Sequence, residues 1–117
     1  MVALIEDDKS YRSAVQRLLK SGGFFVQSFA SAEDFLSSGR QYETGCLIAD
    51  IRMPGMSGLD LQSKLNSDRC LIPTIFITAH GDEKMRLQAM RGGAVKFLAK
   101  PFDGEILLEA VRVALEG

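Results

Sequence analysis

Short apolar runs and amphipathic segments alternate along the chain five times over. Met1 to Ile5 is apolar and stops at Glu6-Asp7-Asp8. From Lys9 to Lys20 the apolar residues fall at Tyr11, Ala14, Val15, Leu18 and Leu19. That spacing is the 3.6-residue helical period, and Ser21-Gly22-Gly23 supplies a C-terminal stop. The second unit joins Phe24–Phe29 to a short helix opening at Ser31, with Asp34 in its first turn ahead of Phe35-Leu36. The third runs from Cys46 to Ala49, crosses a Pro-Gly loop from Asp50 to Gly58 and enters a helix from Leu59 to about Asn66. The fourth is Pro73–Thr78 followed by Asp82 to Arg91, closed by Gly92-Gly93. The fifth is Ala94–Ala99, then Lys100-Pro101, then Asp103 to Leu115.

Five strand-then-helix units, spaced roughly 20–25 residues apart, predict an α/β architecture. Strands apolar at successive positions need cover on both faces, which a parallel sheet flanked by helices provides, with right-handed crossovers. No linker, low-complexity stretch or second composition zone interrupts the pattern. One doubly wound domain is expected over residues 1–117.

Composition narrows the class. The chain is long enough to bury a core without disulfides or a structural metal. Fourteen basic and fifteen acidic side chains leave a net charge of −1, so there is no electrostatic case for binding nucleic acid or a membrane surface. Cys46 and Cys70 form no C-x-x-C pair, and Cys46, inside an apolar run, reads as a small buried hydrophobe. No apolar stretch approaches the ~20 residues that span a bilayer, and no signal-peptide pattern opens the chain. A cytoplasmic protein is the expectation.

In open α/β sheets, ligands bind beyond the carboxyl ends of the strands, at the switch point of strand order. The first strand ends in Glu6-Asp7, the third in Asp50, the fourth in Thr78 and the fifth in Lys100, whereas the second ends in Ser28-Phe29 with nothing reactive. That asymmetry fits the order 2-1-3-4-5, with the second strand at an edge. Each residue alone has a structural explanation: an Asp at a strand–helix junction caps a helix, Asp50 caps a turn, Thr78 is a strand residue and Lys100 a solvated charge. Three carboxylates, a hydroxyl and a lysine on four strand ends of one sheet are not explained that way together. Crowded carboxylates repel, and at least one pKa rises unless a cation is present. No His or Cys cluster accompanies them, so a hard cation is implied, and Mg²⁺ suits few carboxylates, waters and a phosphate oxygen. A carboxylate can attack phosphorus to give an aspartyl phosphate, while Lys and a hydroxyl contact the equatorial oxygens.

The sequence resembles the receiver domain of bacterial two-component response regulators, over essentially its whole length. The resemblance rests on Glu6-Asp7 with Arg12, on Leu47-Ile48-Ala49-Asp50-Ile51-Arg52-Met53-Pro54-Gly55-Met56-Ser57-Gly58, on Ile77-Thr78-Ala79-His80-Gly81-Asp82, on Gly92-Gly93-Ala94, and on Phe97-Leu98-Ala99-Lys100-Pro101-Phe102. The wording of the middle motifs is closest to receivers of the FixJ type. The family implies a flavodoxin-like fold, and Asp50 as acceptor of a phosphoryl group from a sensor histidine kinase. It also implies Mg²⁺ (or Mn²⁺ in its place) on Asp7, Asp50, the backbone carbonyl of Arg52 and, through water, Glu6. Thr78 would bond a phosphoryl oxygen, Lys100 would pair with the phosphate, and Phe97 would be the aromatic switch that follows Thr78.

Aligning on Arg12 makes the acid pair Glu6-Asp7 and leaves Asp8 to cap the first helix. The family more often has Asp where this chain has Glu6, and the added methylene bears on metal affinity. Ala79 leaves the path to Asp50 open. His80 reads as a loop residue or as an influence on hydrolysis, and Lys100-Pro101 is a candidate cis peptide. The expected output face is helix 4, strand 5 and helix 5, bearing Met85, Arg86, Met90, Arg91 and Lys96, used for homodimerisation or to dock an effector. An effector domain, of the helix-turn-helix type usual in the receivers it resembles, is expected outside this chain, so the domain itself binds no nucleic acid. The alternatives are a stand-alone phosphorelay or scaffold receiver, and an aspartyl-phosphate phosphatase. A phosphoacceptor rather than a turnover enzyme is the reading, because no Asp-x-Asp pair ends the first strand and no cap-sized insertion exists. A nucleotide or flavin binder would need a Gly- or Ser/Thr-rich loop where Glu6-Asp7-Asp8 stands.

Overall fold

The computed structural model describes residues 1–79 and 81–117. Five parallel strands, β1 (Val2–Ile5), β2 (Val26–Phe29), β3 (Cys46–Asp50), β4 (Thr74–Thr78) and β5 (Lys96–Ala99), form one sheet of order β2-β1-β3-β4-β5. Between and after them run helices α1 (Lys9–Ser21), α2 (Ala32–Ser38), α3 (Gly58–Ser67), α4 (Glu83–Arg91) and α5 (Gly104–Glu116). This is the flavodoxin-like doubly wound architecture expected from the alternation of segments.

Each helix opens on a side chain that relieves its orphan N–H groups. Asp8 Oδ1 accepts from Tyr11 N at 3.0 Å, Ser31 Oγ from Asp34 N at 3.0 Å, and Asp82 Oδ1 from Met85 N at 2.8 Å. Asp103 Oδ1 accepts from Glu105 N at 2.9 Å. Ser57 and Asp60 make a reciprocal capping box at the start of α3. Asp8 therefore belongs to the helix, as the register on Arg12 required.

Strand periodicity sorts the core into two layers, because successive side chains point to opposite faces. Val2 and Leu4 of β1, Cys46 and Ile48 of β3, and Ile75 and Ile77 of β4 pack with Val15 and Leu19 of α1 and Leu107 and Val111 of α5. Ala3, Ile5, Leu47, Ala49 and Phe76 face the other way, toward Phe35, Leu61, Leu65 and Ala89 of α2, α3 and α4. Each large side chain buried this way contributes about 1.5–3 kcal/mol, and β1, β3 and β4 are buried at every position.

Two expectations change. The apolar run at residues 94–99 was read as covered on both faces, but in β5 Lys96 and Ala99 are exposed, because this strand is an edge with only β4 beside it. A one-turn 3-10 helix at Arg40–Glu43, entered through Gly39 at φ +71°, was not legible. Phe25, expected in the second strand, precedes it and stands 73% exposed.

Candidate functional site

The carboxyl ends of β1, β3, β4 and β5 converge, and the side chains there form a pocket. Asp50, the last residue of β3, is 6% exposed, and Glu6, just past β1, is 1% exposed. Asp7 beside them is exposed. One oxygen from each of Glu6, Asp7 and Asp50 lies within 4.8 Å of the others, close enough for a single ion. An all-oxygen donor set with one solvent-facing member fits a hard divalent cation that keeps some of its waters.

Lys100, directly after β5, reaches into this cluster. Its Nζ donates to Glu6 Oε1 at 2.6 Å and to Asp50 Oδ2 at 2.8 Å. The pocket's charge is therefore not left for a metal alone to balance, as the sequence had suggested. Lys100 is an internal cation already paired with two of the three acids. Burial pushes Glu6 above the usual carboxylate range, and the Lys100 bond only partly opposes it. For Lys100 burial works against the charge, but its bonds to Asp50 and Glu6 outweigh it and hold the ammonium above its ordinary value. An intact ion pair would lower Glu6, so the two directions differ. Burial decides at Glu6 because that carboxylate is the more deeply enclosed of the two.

The other predicted residues fall around this core. Asp50 Oδ1 accepts from Arg52 N at 3.1 Å, so the amide of the residue whose carbonyl was expected at the metal is tied to the acceptor carboxylate. Thr78 ends β4 and is buried, whereas Ala79 after it is exposed. Phe97 is half-buried on the same sheet face as Phe76, its register partner. A Cβ at Gly81 would lie 2.7 Å from Thr78 Cγ2 and 2.8 Å from Phe97 Cζ, so one small gap adjoins both switch candidates. Lys100-Pro101 is cis. His80 lies outside the described residues.

Other residues, some named in the motifs without a structural role, contribute to the site. Arg12 Nη1 donates to the Glu6 carbonyl at 2.6 Å, fixing the end of β1. Glu33 of α2 accepts from Met56 N at 2.9 Å, which ties down the loop after Asp50 and holds the Glu33 carboxyl below its usual range. Gly55 passes beneath that carboxylate at φ +76°, where a Cβ would run into it. Tyr11 places its ring 4.1 Å from Lys100 Nζ. Its only sequence signal was an aromatic, among aliphatic helix-face positions, beside a pocket that must seat a lysine.

Comparison with known proteins agrees with this geometry. Residues 2–112 match the family model for the response regulator receiver domain. Nodulation protein W of Bradyrhizobium diazoefficiens is 47% identical over 116 residues, covering 99% of this chain and 51% of that protein. The transcriptional regulatory protein FixJ of Azorhizobium caulinodans is 41% identical over 114 residues, covering 97% and 54%. The chain thus spans about half the length of the curated relatives it matches. Among solved structures, FixJ-N superimposes with a TM-score of 0.88 at 38% identity, covering 98% of this chain and 92% of that one. The response regulator StyR gives 0.90 at 46%, covering 98% and 58%. With the family model matched over residues 2–112 and the sheet order shared with these structures, the chain belongs to the response regulator receiver domain family.

Proposed function

We propose that Asp50 accepts a phosphoryl group from a phosphohistidine of a sensor histidine kinase, and that the aspartyl phosphate switches the domain to control an output. The observation that carries this reading is the surroundings of Asp50. Its carboxylate is buried at a strand end, one oxygen held by Arg52 N and the other facing Lys100, with Glu6 and Asp7 close by.

In the transfer, an oxygen of Asp50 gives its electron pair to phosphorus. The bond from phosphorus to the donor's imidazole nitrogen breaks, and that pair returns to the ring. A divalent cation, Mg²⁺ or Mn²⁺ in its place, would be held by Asp7, Asp50, the Arg52 carbonyl and, through water, Glu6, and would supply charge that offsets the transferring group. Lys100 stays protonated and faces the phosphoryl oxygens. The burial of Asp50 at the strand end limits water at its carboxylate, which suits a signal meant to persist.

Thr78 and Phe97 read the event. Movement of the Thr78 hydroxyl toward the phosphoryl group opens space on the face that Phe97 shares, and the ring fills it. The change then reaches α4, β5 and α5, where Lys96, Val95 at 49%, Ile106 at 46% and Val113 at 54% exposure form the output face. That face serves a homodimer or an effector domain. Relatives named as transcriptional regulators support transcription as the output, and none of the described helices is long and apolar enough to cross a membrane. The domain works in the cytoplasm as a phosphoacceptor that assists its own phosphorylation and dephosphorylation.

Incubation with acetyl phosphate and Mg²⁺ tests this, read by intact mass on wild type and Asp50→Ala. One added phosphoryl group on the wild type alone is expected. No addition, or addition to both proteins, overturns the proposal.

A further inference from the structure

Lys100 has three N–H donors. Two go to Glu6 Oε1 at 2.6 Å and Asp50 Oδ2 at 2.8 Å. Both partners belong to the acid cluster that could hold a cation, and Asp50 is the proposed phosphoryl acceptor. Whenever the site is loaded, Lys100 must exchange both partners, and its long side chain has many other places to go.

One contact is independent of that exchange. The ammonium lies 4.1 Å from the centroid of the Tyr11 ring, within cation–π range. The ring is itself fixed. It meets Phe102 edge-on, with centroids 6.3 Å apart and planes at 67°. Tyr11 sits in the first turn of α1, which Asp8 caps by accepting from Tyr11 N. Phe102 packs into the core layer beneath α1 and α5. Tyr11 is thus anchored by its backbone on one side and by Phe102 on the other, with its face turned to Lys100.

We propose that Tyr11 is a positioning residue for Lys100: its ring face holds the ammonium at the pocket mouth while carboxylate partners give way to phosphoryl oxygens. This rests on the phosphoacceptor reading of Asp50. The attraction comes from the ring face rather than the hydroxyl, so Phe serves as well as Tyr. A leucine fills similar space against Phe102 but offers no negative face to the cation.

The test uses Tyr11→Phe, Tyr11→Leu and Tyr11→Phe carrying successive ring fluorines, which keep the shape and weaken the attraction. Two readouts are taken. The first is the ¹H–¹³C NMR shift of the Lys100 ε-methylene, without metal or phosphodonor. The second is the rate of phosphorylation by acetyl phosphate with Mg²⁺. An upfield ring-current shift is expected in wild type and Tyr11→Phe and is absent in Tyr11→Leu. The rate is expected to fall about three- to tenfold in Tyr11→Leu and stepwise with fluorination, but to stay within about twofold in Tyr11→Phe. If Tyr11→Leu does not fold, the fluorinated series decides. Rates equal to wild type in the Leu and fluorinated proteins overturn the inference. A wild type that takes up no phosphoryl group overturns the acceptor reading and this inference with it, a result distinct from a wild type and a variant that react equally fast.

Discussion

Lys100 and Asp50, fifty positions apart in the chain, meet at 2.8 Å between Nζ and Oδ2 at the carboxyl edge of the sheet. This pairing, with the 2.6 Å bond from Lys100 to Glu6, makes the pocket an ion cluster before any metal arrives. A cation entering the pocket competes with an ammonium that is already there.

Removing Lys100 should expose that competition. Lys100→Met leaves Glu6 and Asp50 buried without their partner, and is expected to lower metal-free stability by about 3 kcal/mol. The cost is at the low end for orphaned charges because burial already raises Glu6 toward taking up a proton. Added Mg²⁺ is expected to raise the melting temperature of the variant more than that of wild type, measured by scanning calorimetry. Equal increments would show that Lys100 does not compete for the acids.

Gly81 should control the space between the two switch candidates. A methyl group there meets Thr78 Cγ2 at 2.7 Å and the Phe97 ring at 2.8 and 2.9 Å, below any real Cβ contact. Gly81→Ala is expected to displace the Phe97 ring and cost about 1–3 kcal/mol by overpacking. Aromatic NMR shifts of Phe97 together with urea unfolding check both parts. An unmoved ring with unchanged stability would contradict the packing described.

Gln62 and Asn66 of α3 hold the end of α4. Gln62 Nε2 donates to the Ala89 carbonyl at 2.8 Å from a buried position, and Asn66 Nδ2 donates to the Gly92 carbonyl at 2.8 Å. Gln62→Leu removes that donor while the Ala94 amide still donates to the Ala89 carbonyl at 3.0 Å, so the expected cost is about 0.5–1.5 kcal/mol. Amide exchange should quicken in the last turn of α4 and hardly at all in its first. Uniform acceleration along the helix would mean that α4 is not pinned at this end.

Cys46 should couple stability to alkaline pH. Burial pushes its thiol from an ordinary 9.0 up to about 12. The folded value lies above the unfolded one, so this stability is fully present below pH 9.0 and is lost as pH rises toward about 12. Urea titrations of wild type and Cys46→Ala across that span should diverge in slope, wild type falling more steeply. Parallel slopes would contradict the assignment.

The sequence carried the sheet order because only four strand ends bear reactive groups, which places the second strand at an edge. It also placed Asp8, since a cap and a ligand compete for the same short run and Arg12 sets the register. Tyr11 was legible only as a core-facing position, because helical period says which face a residue takes and nothing about what its ring touches across the sheet. The exposure of β5 was missed for a related reason: the expected order set this strand at the sheet's other edge, but an apolar run does not say how much of an edge strand the helices leave open. Lys100 was read as a phosphate partner, and its prior pairing with Glu6 follows from a buried geometry that spacing along the chain does not encode.

The most direct test of the account asks which side chain becomes the acyl phosphate. After reaction with acetyl phosphate and Mg²⁺, borohydride reduction converts an aspartyl phosphate to homoserine, which peptide mass spectrometry locates. Homoserine at position 50, and its disappearance in Asp50→Asn, is the predicted result. Homoserine at position 7, or at no position in a protein that has taken up phosphate, would contradict it.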